Sequence, residues 1–156
     1  MVERLPVALS AGLLAGVWVW GSDSFALSTW AGFLGCSAYS ALGEHSIKGV
    51  LATWAATLSG VFWAWVVFFG TDLLGGAGSA VLTGLVTAAM CLQAAQRLLA
   101  FIPAAFIGCC VVFALNGDVA SAWLPLMLGA VMGFGMSRLG DLFARMLPFT
   151  SAEESK

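Results

Sequence analysis

The sequence predicts an all-α integral membrane protein: six transmembrane helices in a 3+3 inverted repeat, with both termini in the cytoplasm. Three observations carry that prediction. The 156-residue chain is 61% hydrophobic and only 9% charged, against about 25% charged in an ordinary soluble domain. Its apolar residues form six runs parted by short polar breaks. The string Phe33-Leu-Gly-Cys36 also returns, nearly unchanged, as Phe106-Ile-Gly-Cys109, 73 residues later. So few charges cannot cover the water-facing surface of a small soluble protein, and bilayer lipid is the solvent that tolerates such a surface. A net charge of −2 gives no reason to expect nucleic acid as a partner.

The six runs follow in order. The first, Leu5–Trp20, ends at Gly21-Ser-Asp-Ser24. It reads as a span and not a cleaved leader, because Glu3 offsets the basic charge of Arg4. The second, Leu27–Leu42, ends at Gly43-Glu-His-Ser46, and like the first it is short for a hydrocarbon core of about 30 Å. The third, Ile47–Phe69, reaches Gly70-Thr-Asp72, and the fourth, Leu74–Leu92, reaches the polar stretch from Gln93 to Arg97. The fifth, Leu98–Leu115, ends at Asn116-Gly-Asp118, and the sixth is Val119–Ser137. Helices are expected because backbone groups in lipid must be satisfied within the segment. Residues 1–149 form one membrane domain, with repeat halves at 5–69 and 74–137. A short interfacial helix is expected at 139–149, with Asp141 and Arg145 on its polar side, and a disordered tail at 150–156.

Charge placement sets the orientation. Arg4, Lys48, Arg97, Arg138, Arg145 and Lys156 all fall at the termini or in the second and fourth breaks. The first, third and fifth breaks carry Asp23, Asp72 and Asp118 and no basic residue. The positive-inside rule then puts both termini in the cytoplasm. Three crossings per half is odd, so the second half enters the bilayer upside down relative to the first. At the offset of 73, residues 31–60 give eight identities, among them Gly35/Gly108, Cys36/Cys109, Leu51/Leu124 and Gly60/Gly133. Composition alone would give about three.

The second and fifth spans should therefore meet near the bilayer centre. Phe33, Gly35, Cys36, Tyr39 and Ser40 in one, with Phe106, Gly108 and Cys109 in the other, are the candidate lining of a narrow path. Small residues also simply pack helices, and hydroxyls bond back to their own carbonyls. Tyr39 is the side chain expected to touch a solute. His45, beside Glu44 at a cytoplasmic turn, is a candidate pH-sensitive inner gate, since imidazole titrates near neutrality. Cys36, Cys91, Cys109 and Cys110 show no CxxC spacing, and the lone histidine has no metal-site partner, so neither metal nor cofactor is expected.

The chain carries no P-loop, nucleophile elbow or zinc-binding histidine pair, which points away from an enzyme. No ionisable residue falls in the apolar core of any span, although coupled transporters commonly place one there. The expected function is a channel or facilitator for a small uncharged or weakly polar solute. A secondary transporter, with sodium as a candidate coupling ion, and a non-transporting subunit of a larger membrane complex are the rivals. Six short helices leave little room for a pore, so a homo-oligomer in the lipid bilayer is expected.

Leu27-Ser-Thr-Trp-Ala-Gly-Phe-Leu-Gly-Cys-Ser-Ala-Tyr39, Ile47-Lys-Gly-Val-Leu51, Met90-Cys-Leu-Gln-Ala94, and Phe106-Ile-Gly-Cys109 with Gly117-Asp118 resemble the YcdZ-type family of small bacterial inner-membrane proteins. The resemblance covers nearly the whole chain. It implies a multi-pass protein of the bacterial inner membrane, and it brings no activity or binding residues to these positions.

Overall fold

The computed structural model describes residues 4–146, and among them every regular element is helical. Six helices result: α1 (Leu5–Ser24), α2 (Thr29–Leu42), α3 (Ile47–Gly75), α4 (Gly78–Ala95), α5 (Ile102–Ala114) and α6 (Val119–Met146). Four of them, α1, α3, α4 and α6, are long and apolar enough to cross a membrane. The other two, α2 and α5, have only 14 and 13 residues, about 20 Å at 1.5 Å per residue.

Local chemistry explains the boundaries. In α1 and α5 a proline stands in the first turn, where its missing N–H costs nothing. Gly43, at φ +72°, closes α2 in the left-handed conformation. Ser46 caps α3 by accepting a hydrogen bond from Gly49 N–H at 3.3 Å. The break expected at Gly70-Thr-Asp72 falls instead at Gly75, whose φ of +71° interrupts the helix. Thr71 does not end the helix because its hydroxyl donates back to Val67 O at 2.8 Å. At the other end of the chain α6 runs through Ser137 to Met146 without a break, so residues 139–146 prolong the last helix and do not start a separate one. Residues 147–149 of the expected interfacial helix and the tail 150–156 lie outside the described residues.

Packing is organised around two close, parallel pairs. In the first, α2 runs beside α6: Gly35 lies against Leu126, Cys36 against Gly129, and Tyr39 against Gly133. In the second, α5 runs beside α3: Ala104 clusters with Ala56, Cys109 lies against Gly60, and Phe113 meets the Phe68 ring with centroids 5.0 Å apart. Both pairs are built alike. A Cβ on Gly129 would collide with Gly32 O and crowd Cys36 N, and one on Gly60 would collide with Ala105 O and crowd Cys109 N. A Cβ on Gly35 would strike Leu126 O, and one on Gly108 would strike Thr57 O. Ala105, Gly108 and Cys109 follow Gly32, Gly35 and Cys36 by 73 positions, whereas Leu126 and Gly129 follow Thr57 and Gly60 by 69. The identity Gly60/Gly133 is thus not the structural match. Gly60 occupies the place that Gly129 holds in the other pair.

Between the pairs, α2 and α5 meet through Ala31, Ala38 and Ala104, all fully buried, with Leu34 and Ile107 packed alongside. Outside them, α1 lies on α6, where Ser10 and Val7 approach Gly140, and α4 lies on the outer half of α3, where Leu82 covers Gly70. Trp20, Phe25, Phe69, Leu73, Val81 and Leu92 each expose more than half their surface. In water such an apolar exterior would aggregate, whereas in a bilayer it is the lipid-facing surface.

Candidate functional site

The polar chemistry of the bundle collects at one end. There the start of α1, the turn between α2 and α3, and the last turns of α6 come together, bringing Arg4, Lys48 and Arg138 to the same end as the His45–Ser137 contact. A cavity of about 410 Å³ opens at this end, lined by Val7 and Ala11 of α1, Ser40 of α2, His45, and Gly133, Met136, Ser137 and Asp141 of α6. His45 Nδ1 lies 3.1 Å from Ser137 Oγ, which also donates to Gly133 O at 3.2 Å. The His45 tautomer decides which of the two atoms donates in the first contact. A larger groove of about 470 Å³ between α1 and α6 is walled by Leu14, Trp18, Phe25, Leu128 and other apolar groups, and offers nothing to a polar ligand.

Tyr39 lies beneath this vestibule. The residue is fully buried, its ring crosses Phe134 edge-on with centroids 6.4 Å apart, and it stands 6.3 Å from the His45 ring. One ring edge rests on Gly133, a wall of the cavity. Among the described residues, Tyr39 Oη is the sole buried side-chain oxygen or nitrogen without a hydrogen-bond partner. The neighbouring Ser137 hydroxyl donates its proton to Gly133 O at 3.2 Å and lies 3.1 Å from His45 Nδ1. A buried hydroxyl left unpaired costs about 1–3 kcal/mol, so its retention calls for an explanation.

The contrast with a second polar cluster is instructive. Trp63 Nε1 donates to Gln93 Oε1 at 2.8 Å, Gln93 Nε2 donates to Ser59 Oγ at 2.9 Å, and Ser59 Oγ donates to Ala56 O at 2.7 Å. Gln93, expected in a polar break, thereby reaches the middle of α3 and fastens the end of α4 there. Every group in this network is satisfied, so it is a structural tie. No local pattern in the sequence could have found it, because its members are 30 and 34 positions apart.

The candidate path residues divide. Ser40 and His45 line the vestibule and Tyr39 underlies it. Gly35 and Gly108 are sites of helix contact. Cys36 is buried with its Sγ 3.6 Å from Met136 Sδ, and Cys109 packs among Val111, Val67 and Met90. Phe33 is half-buried, and Phe106 is 38% exposed on the bundle's exterior. The surfaces shared by α2 and α5 are alanine, leucine and isoleucine, so these two helices enclose no polar passage in this conformation. Among the described residues no three His, Cys, Asp or Glu side chains converge as a metal site would require. At the opposite end, hydrogen bonds from the Ser121 hydroxyl and N–H hold the Asp118 carboxyl below the usual carboxylate range and cap α6.

The family described as "Protein of unknown function (DUF1097)" matches residues 8–141. A protein of Salmonella typhimurium named "Inner membrane protein YcdZ" is 44% identical over 138 residues, covering 87% of this chain and 86% of that one. Its namesake in Escherichia coli K12 is 42% identical over 158 residues, covering 97% of this chain and 94% of its own. No solved structure matches the chain.

Proposed function

The chain belongs to the YcdZ family of inner-membrane proteins, and from that footing we propose that it is a facilitator, passing a small uncharged or weakly polar solute by opening to each side in turn. It is a multi-pass protein of the inner membrane. In the proposed topology all six helices cross, the halves are inverted copies, and both termini are cytoplasmic. Three observations support that arrangement. The parallel α2/α6 and α5/α3 pairs suit an odd number of crossings per half. The glycine contacts recur reciprocally at offsets of 73 and 69, and Val50/Val119 and Trp54/Trp123 match at 69 as well. Arg4, Lys48 and Arg138 share one end of the bundle. The short α2 and α5 need not match the bilayer thickness, since longer helices cover their ends.

One observation carries the functional reading: the polar vestibule is a dead end. It enters from the proposed cytoplasmic side and reaches Gly133, against which the Tyr39 ring packs, and beyond Tyr39 the residues Ala31, Ala38, Ala104 and the glycine contacts fill the core. An open channel would have a continuous path, whereas a carrier caught facing inward has one open mouth and a closed centre. The closed centre is made of backbone contacts and small apolar side chains, so a small rocking of one half against the other breaks no ion pair. It also lacks charge, and a charged group at the bilayer centre costs at least about 2.5–3.5 kcal/mol. A neutral solute avoids that cost.

The same dead end would serve a gradient-coupled transporter, and flux separates the two readings. Protein in liposomes is expected to equilibrate a neutral solute faster than protein-free liposomes, at a rate unchanged when proton and sodium gradients are collapsed. Dependence on either gradient would favour coupled transport. Absence of flux for neutral solutes would leave the accessory-subunit role. The proposal also takes the assembly to contain several copies, consistent with Gly84 facing open space on α4.

A further inference from the structure

A buried phenol with no partner, placed beneath a polar cavity, is costly unless something completes it. Tyr39 Oη is that group, and the neighbouring Ser137 hydroxyl gives its one proton to Gly133 O. Within the vestibule the remaining polar groups are Ser40 Oγ, the His45 ring, Ser137 Oγ and the Asp141 carboxylate. The set is rich in acceptors, and its two serine hydroxyls can both give and take a hydrogen bond. Its apolar wall is formed by Val7, Ala11 and Met136. An anion would meet Asp141 at the cavity wall and find no lysine or arginine among the lining residues. A cation would be drawn to Asp141 but would then face a core with no charged group to receive it. A neutral polyol meets neither obstacle: each of its hydroxyls can reciprocate with Ser40, Ser137 or the phenol.

We infer that the vestibule is the inner binding site for the transported solute, that its ligand is a small neutral polyol, and that Tyr39 Oη is the contact that selects it. The inference rests on the facilitator reading above and names the substrate class of the same site. When the gate above Tyr39 loosens, the phenol gains access to the solute and exchanges its unpaired state for a hydrogen bond. The energy released on pairing helps to offset the cost of opening, so a solute able to pair is passed and one that cannot is held back.

Glycerol is the probe, and full-length protein reconstituted in liposomes is the sample. Stopped-flow light scattering reads glycerol entry, with tetramethylammonium and acetate as charged comparators. Wild type is expected to pass glycerol at least tenfold faster than either ion. Tyr39→Phe is expected to slow glycerol at least fivefold while its melting temperature in detergent stays equal or rises, since the lost hydroxyl had no partner. A structural role would instead lower the melting temperature along with the flux, and that outcome overturns the inference. So does glycerol entry within twofold of wild type in Tyr39→Phe, or entry of either ion as fast as glycerol. Ser40→Ala, at an exposed position on the cavity wall, is expected to slow glycerol at least twofold, and an unchanged rate counts against the site even where Tyr39→Phe fails to assemble. If wild type passes none of the three solutes, the facilitator reading falls and this inference with it. If glycerol passes but neither variant slows it, only this inference falls.

Discussion

At the scale of single residues, the glycines inside helices include two contrasting kinds. Gly35, Gly60, Gly108 and Gly129 sit where a Cβ would strike a neighbouring backbone, and Gly12 and Gly16 have nothing within 4 Å. Replacing any of the first four with alanine forces two helices apart, and overpacking of that sort costs about 1–3 kcal/mol. Alanine at Gly12 or Gly16 should instead stabilise α1 by about 0.5–1 kcal/mol, because alanine loses less backbone freedom in a helix. Thermal melts in detergent check the contrast, which fails if both sets behave alike. The sequence made Gly35 and Gly108 conspicuous through the repeated Phe-x-Gly-Cys string. It concealed Gly60/Gly129, because the second half is four residues shorter between Cys109 and Gly129 than the first is between Cys36 and Gly60. A fixed offset of 73 therefore matched Gly60 to Gly133, one helical turn too far. Tyr39 was readable as a candidate, but its meeting with Ser137 was not, since 98 positions part them and only the parallel run of α2 beside α6 joins them.

At the scale of elements, the apolar runs foretold where helices would be, and side-chain chemistry moved their ends. The third run outlasted its polar break because Thr71 bonds back to Val67 O, and it ended where Gly75 adopts positive φ. Composition could not reveal that the end of α4 is fastened beside Ser59 and Trp63 of α3, because that depends on the distant Gln93–Trp63–Ser59 tie. The start of α6 shows the reverse case, a cap readable from local sequence. Asp118 accepts from the Ser121 N–H at 3.1 Å, and the Ser121 hydroxyl and N–H hold its carboxyl below the usual carboxylate range. A carboxyl depressed in the folded state contributes stability above its unfolded pKa and loses that contribution as pH falls through its folded pKa. Acidification below the usual carboxylate range should therefore loosen the first turn of α6, seen as faster amide exchange at Ser121. Asp118→Ala should exchange quickly at every pH, and a variant indistinguishable from wild type would remove the cap from the account.

At the scale of the whole molecule, each short helix is held by the long helix of the opposite half, α2 by α6 and α5 by α3. Neither half packs its own short helix as closely, so motion of one half against the other must slide these two interfaces. The proposed carrier mechanism depends on that sliding, and a channel through or between rigid protomers does not. Cys36 Sγ lies 3.6 Å from Met136 Sδ across the α2/α6 interface, which makes the pair a natural lock. The direct measurement is neutral-solute flux through Met136→Cys protein in which Cys91, Cys109 and Cys110 are replaced by serine. Flux that stops when the pair is oxidised and returns on reduction is the predicted result, and flux that continues through the locked protein would contradict the mechanism.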